Sequence, residues 1–413
     1  MIGRGLYRKL TYALVVALAL VSPYLGRYSG VPFALMAVSG FATGSRQWGR
    51  STRVVWLAMS AAGVAVTTAV LQLPVYVTTA SVIVVVATEL ISNSRRIENE
   101  LVRWYLSMGV GASFAVVGTL AVVSYPINDL LLGVLIGVIM ANTFHYLLNG
   151  KSVWLVLAVT AVTMAVVSLF SVGATVTGIG IALTITVGLG SIAYYMGTMT
   201  VSGVLGGTLL SFTTIVAGGY RWFVLLGLFV VLGAASTKYR YEEKLEMGIA
   251  EEEGGRRSFA NVMANGSVAL GAVLMFAISP DSVSVLAKLA FAGTIATATA
   301  DTLSSELCSV HGTPRLITTF EKVPSGTDGG ITLLGEIVGV VGASLIGAAG
   351  IAMGLLTPTG AVVVAVGGVV GAHIDSLLGA TLEGKILNNS TVNLSACLSG
   401  AVTAAIVFAL VFL

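Results

Sequence analysis

The chain has 413 residues, 56% of them hydrophobic and only 9% charged, with 50 glycines, 8 prolines and a formal net charge of +3. A mean hydropathy of +0.97 and apolar runs of about 20 residues predict an all-α, polytopic transmembrane helical bundle and leave no stretch for a soluble domain of useful size. The small, scattered positive charge excludes nucleic acid as a partner, and Cys308 and Cys397 supply neither a disulfide framework nor metal-ligand spacing.

In chain order, MIGRGLYRKL followed by TYALVVALALVSPYL has the basic flank and apolar run of a signal peptide. More spans follow at once, so it reads as the first retained helix. Runs centred near residues 18, 38, 63, 83, 114, 139, 162, 185, 207, 229, 270, 293, 342, 369 and 403 predict about 15 spans. With the N-terminus in the cytoplasm, alternation puts Arg46, Arg50, Arg53, Arg95, Arg96, Arg103, Lys151, Lys238, Arg240, Lys244, Arg256, Arg257, Arg315, Lys322 and Lys385 there with Arg4, Arg8 and Lys9. Only Arg27, Arg221 and Lys288 fall on the other side, as the positive-inside rule requires, and every long polar loop becomes cytoplasmic.

The chain divides by character into residues 1–170 and residues 171–413. In the first region the spans are joined by short basic loops, and the one acid inside a span, Glu89, lies near enough to its end to snorkel. In the second, Gly203 to Gly207, Gly335 to Gly339, Gly350 to Gly354 and Gly367 to Gly371 form G-x-x-x-G pairs, which predict close helix packing.

Three polar segments interrupt the second region, at 236–267, 301–330 and 373–393. In the first, Arg256 and Arg257 serve as a membrane-surface anchor or a phosphate site, and Asn261 and Asn265, four apart, share a helical face just inside the membrane. Asp301 closes the run FAGTIATATA, and Ser305 and Glu306 follow; a wall of hydroxyls and carboxylates there suits Mg²⁺ or, alternatively, forms a cap or a buried hydrogen-bonded pair. Pro314, Arg315, Glu321 and Lys322 then lead to PSGTDGG. Its glycines can turn backbone amides toward an anion at the start of the next helix, although no Lys-Ser or Lys-Thr follows as in a P-loop. Asp328 is a metal ligand or that helix's N-terminal cap. The third segment repeats the theme with Asp375, Ser376 and Glu383 late in a span and Asn388, Asn389 and Asn393 beyond; His373, His145 and His311 have no ligand spacing.

The strings GGRRSFANVMANG, ATADTLSSEL, PRLITTFEKVPSGTDGGITLLGE, DSLLGATLE and NNSTVNL occur here in one order. In that order they resemble an integral-membrane family whose characterised plant member is the phytyl-phosphate kinase of the tocopherol salvage pathway. The resemblance covers residues 171–413. Where the family usually has Gly-Thr-Asn-Gly-Gly, this chain has Gly326, Thr327, Asp328, Gly329 and Gly330, which adds a charge.

The resemblance implies transfer of a phosphoryl group from a nucleoside triphosphate, CTP favoured, to an isoprenoid monophosphate of phytyl or geranylgeranyl type. It casts Asp301, Glu306 and Asp375 as Mg²⁺ ligands, Lys322, Arg315 and the loop Gly326 to Gly330 as holders of donor phosphates, and Arg256 and Arg257 as holders of the acceptor phosphate. Asn261, Asn265, Asn389 and Asn393 then orient these groups. A lipid cytidylyltransferase and a transporter or flippase of lipid phosphates are the competing readings, a homo-oligomer is left open, and a prokaryotic plasma membrane is the expected location.

Overall fold

The structure is a computed structural model and describes residues 4–42, 52–94, 96–170 and 172–412. Arg46, Arg50 and Arg95, counted above on the cytoplasmic side, lie outside the described residues. The chain folds into two compact units, Met1–Ile181 and Ala182–Leu413.

The first unit runs α1 (Arg4–Val21), a 3-10 turn (Ser22–Tyr28), α2 (Val31–Ala42), α3 (Thr52–Val70), α4 (Tyr76–Ser92), α5 (Glu100–Val122), α6 (Ile127–Leu147) and α7 (Val153–Ser168). The unit boundary falls inside α8 (Val176–Tyr195). In the second unit α9 (Val201–Gly218), α10 (Tyr220–Lys238), the short α11 (Tyr241–Glu246) and the single turn α12 (Glu252–Gly255) precede α13 (Phe259–Ile278) and α14 (Asp281–Cys308). Two-residue strands β1 (Arg315–Leu316) and β2 (Gly330–Ile331) pair antiparallel before α15 (Leu333–Ala352), α16 (Pro358–Thr381) and α17 (Asn389–Phe412).

Every predicted run falls on a helix, but among the described residues twelve helices are long and apolar enough to cross a membrane. Helices α4 and α7 are apolar and shorter, and α2 has only 12 residues. Turn chemistry sets the starts in the second unit: the side chains of Thr200, Ser258, Thr332 and Thr357 each accept a backbone N–H two or three residues into α9, α13, α15 and α16.

Helix α4 is the centre of the first unit, with 15 of its 17 residues buried. The snorkelling expected of Glu89 is not found. Its carboxylate is buried (4% exposed), 3.0 Å from His145 Nε2 and 3.7 Å from Arg53, with the Tyr12 hydroxyl donating at 3.5 Å. A carboxylate at this depth needs partners from other helices, and α1, α3 and α6 supply them.

The second unit is built on close backbone approach at glycines in α14, α16 and α17. A Cβ on Gly367 would lie 2.7 Å from Gly400 O, and one on Gly293 2.9 Å from the same oxygen. We therefore expect Gly367→Val to cost about 1–3 kcal/mol through overpacking, read as a lower unfolding temperature in detergent; an unchanged temperature would show that the three helices can part freely. Gly354 plays a different part from its G-x-x-x-G partner Gly350. It lies beyond α15 at φ +66°, where it terminates that helix in the left-handed conformation glycine favours.

Candidate functional site

Helices α14 and α16 end, and α13, α15 and α17 begin, at the same end of the second unit, where they enclose a cavity of about 390 Å³. Helix α14, at 28 residues, is about 42 Å long and overruns a hydrocarbon core of roughly 30 Å, so Asp301, about 30 Å from its start, stands near the polar edge. Asp375 occupies the matching place on α16. The two carboxylates lie within hydrogen-bonding reach of each other, yet no donor from the described residues reaches the buried Oδ2 of Asp375. Two carboxylates facing each other with an oxygen unpartnered call for a shared proton or a bound cation.

Glu306 turns away from this pair. Its Oε1 accepts from Thr237 Oγ1 at 3.0 Å and its Oε2 from Lys244 Nζ at 2.6 Å. The Lys244 side chain is 1% exposed and also donates to the carbonyls of Ser236 and Thr237 at the end of α10. The carboxylates predicted as one metal set are thus divided into a facing pair, Asp301 and Asp375, and an ion-paired Glu306. No group of three or more His, Cys, Asp or Glu side chains among the described residues is arranged to hold a metal by itself.

The polar segment between α14 and α15 folds back over the cavity. Gly329, at φ +76°, passes so close to α16 that a Cβ there would clash with Ser376 O and lie 2.7 Å from Ala380 N. Gly379 on α16 makes the reciprocal approach, its added Cβ falling 3.2 Å from Gly329 N. This contact brings Gly326, Thr327, Asp328, Gly329 and Gly330 onto the cavity wall. Two of the loop's amides are already used, Thr327 N–H by Pro324 O and Gly330 N–H by Thr327 O. Asp328 does not cap α15, since Thr332 does. Asp328 instead faces Glu383, whose carboxyl is pushed above its ordinary range first by burial and then by Asp328, with Asn389 pulling the other way. Helix α16 stops at Thr381, so Glu383 belongs to the following loop.

Asn261, Asn265, Asn389 and Asn393 all line the cavity. Asn261 also closes a capping box with Ser258, Asn265 donates to Asn261 O, and Asn393 donates to Asn389 Oδ1 at 3.1 Å. Arg257 is the single Lys or Arg on the wall. Its backbone is fixed by Thr198 O (2.9 Å) and Thr200 N (3.1 Å), and its guanidinium lies over Phe229 at 5.7 Å. The absence of a side chain at Gly233 leaves room for that guanidinium, which a Cβ would meet at 3.2 Å. The guanidinium is near enough to Asp301 for the two charges to interact. Arg256, Arg315 and Lys322 are exposed and do not line the cavity; Arg315 donates to Phe320 O at 2.7 Å.

Several lining groups carried no linear signal. Glu251, Glu336 and His373 reach the wall from three elements, and Glu336 pairs with His373 across α15 and α16 at 3.0 Å. With Asp301, Glu306, Asp328, Asp375 and Glu383 they bring seven carboxylates to a wall with one guanidinium. Such a concentration of carboxylates repels a bare anion.

Residues 184–405 match the family model described as integral membrane protein DUF92. A membrane protein of Methanocaldococcus jannaschii is 38% identical over 210 residues, 50% of this chain and 84% of that one. Protein VTE6, chloroplastic, of Arabidopsis thaliana is 32% identical over 215 residues, 50% of this chain and 64% of its own. A membrane protein of Synechocystis is 29% identical over 178 residues, 42% of this chain and 69% of that one. No solved structure matches. With over half its length under the family model, and a cavity built from that same stretch, the chain is an integral membrane protein and belongs to the DUF92 family.

Proposed function

We propose that the second unit is a membrane-embedded kinase that transfers the terminal phosphoryl group of a nucleoside triphosphate, CTP favoured, to an isoprenoid monophosphate of phytyl or geranylgeranyl type. The observation that carries this reading is the Asp301–Asp375 pair, with an orphaned oxygen, in an acidic cavity at the membrane edge. Family membership adds a relative, Protein VTE6, at 32% identity, and the motif resemblance adds phytyl-phosphate kinase activity in that family. A cavity so rich in carboxylates suits a metal-bound triphosphate and suits a free anion badly.

Asp301 and Asp375 would hold Mg²⁺, which takes one or two carboxylates and completes its shell with water and phosphate oxygens. When bound, it neutralises charge on the transferring group. Arg257, beside Asp301 on the same wall, takes a phosphate oxygen. The loop Gly326 to Gly330 closes over the donor, and Asn265 and Asn393 orient it by hydrogen bonds. An oxygen of the acceptor monophosphate attacks the terminal phosphorus, the bond to the bridging oxygen breaks, and the nucleoside diphosphate leaves with that electron pair. An acceptor that is already anionic needs no strong base, so alignment and charge neutralisation suffice. The cavity end faces the cytoplasm, in a prokaryotic plasma membrane.

Purified protein in lipid nanodiscs, given Mg-CTP and geranylgeranyl monophosphate, is expected to yield the prenyl diphosphate and CDP. Release of pyrophosphate with a CDP-lipid would make the protein a cytidylyltransferase. Movement of the lipid between leaflets without nucleotide turnover would make it a transporter.

A further inference from the structure

The cavity has a second, apolar direction. From the Asp301–Asp375 pair it extends between α15 and α16 past Gly339, Ala372, Val340 and Val369. Below that level the two helices close on each other, since a Cβ on Gly368 would lie 2.9 Å from Ala343. Above it stands the Glu336–His373 pair, with His373 Nδ1 fixed to Val369 O at 2.8 Å. Between these two closures Val340 both lines the cavity and is 47% exposed, and Val366 (44%) and Val370 (37%) are exposed on the neighbouring helix. Glu336 and His373 are themselves one-third to one-half exposed (34% and 45%) within the spans of α15 and α16. A polar pair in that position belongs at headgroup level.

We propose that the α15–α16 seam is the lateral entrance by which the hydrocarbon chain of a lipid monophosphate passes from the bilayer into the site, with Glu336 and His373 barring its polar edge. This rests on the reading of the cavity as a lipid-phosphate site. From Asp375 to Val369 is about 9 Å along the helix, so the protein holds only the head end of the chain and the remainder stays in lipid. Selection by chain length therefore stops once the chain reaches past the two valines.

A geranylgeranyl monophosphate carrying a diazirine on the isoprene unit next to the phosphate-bearing one, photolysed in nanodiscs and mapped by peptide mass spectrometry, is expected to label 337–341 and 366–370. Labelling confined to other helices overturns the entrance. In the kinase assay Val340→Trp should lower kcat/KM for geranylgeranyl monophosphate at least tenfold relative to water-soluble dimethylallyl monophosphate, whereas Val340→Ala should not. Equal loss for both acceptors, or no loss, also overturns it. If the wild-type protein makes no diphosphate from any acceptor, the kinase reading fails and the crosslink map alone decides the entrance.

Discussion

Asp301→Asn and Asp375→Asn should each lower prenyl-phosphate kinase turnover by about 100- to 1000-fold, or roughly 3–4 kcal/mol in the barrier. The amide keeps the shape of the side chain and removes the charge that a divalent cation requires. The same substitutions carry a second expected outcome. Two facing carboxylates with an oxygen unpartnered repel wherever both are ionised and no cation lies between them, so removing one should raise the unfolding temperature under those conditions. Activity that falls while stability rises marks strain held for function. A joint fall of both quantities would instead assign the pair to the scaffold. Added Mg²⁺ should stabilise the wild-type protein and not the Asp375→Asn variant, a readout that does not depend on turnover.

Lys244→Ala should destabilise the second unit by about 3–5 kcal/mol, because it leaves the Glu306 carboxylate buried without its cation. The geometry makes this one of the most costly polar substitutions in the chain. The ammonium is 1% exposed and satisfies two carbonyls of α10 as well as Glu306. The expected recovery is equally diagnostic: the double variant Lys244→Met, Glu306→Leu replaces the pair by apolar groups and should return most of the loss. Chemical denaturation in mixed micelles measures both. A double variant no more stable than Lys244→Ala would mean that the segment needs the charges themselves. Ile249 N–H donates to Lys244 O, and Ile249 packs where a Cβ on Gly326 would fall. Loss of Lys244 should therefore also loosen the Gly326 to Gly330 loop, and turnover should drop even where the protein stays folded.

Much of this was legible in one dimension. Apolar runs of span length identify helices because lipid forces every backbone group to bond within its own segment, and each run near residues 18 to 403 is a helix. Helices α4 and α7 are apolar like the others but shorter than the twelve that reach span length among the described residues. Asp301 and Asp375 stood out because a carboxylate late in an apolar span is expensive whatever surrounds it. Glu89 stood out for the same reason, but its remedy, a partnership with His145 and Arg53, depends on how α4 faces α6 and α3.

Composition and local pattern by themselves determined that this is a helical membrane protein, where its helices lie, and that its polar residues cluster in three segments of the second half. These are properties of each segment alone, set by burial cost and by caps such as Thr332 and Thr357. Tertiary structure decided which of those residues share a cavity. Helix rotation and the close approach of Gly329 to α16 brought Asp301, Asp375, Arg257 and the loop together. The same packing turned Glu306 toward Lys244, left Arg256, Arg315 and Lys322 outside, and set Glu336 against His373. Partnerships between residues far apart in the chain depend on the angle at which each helix presents them, and that angle is fixed only when the glycines of neighbouring helices meet.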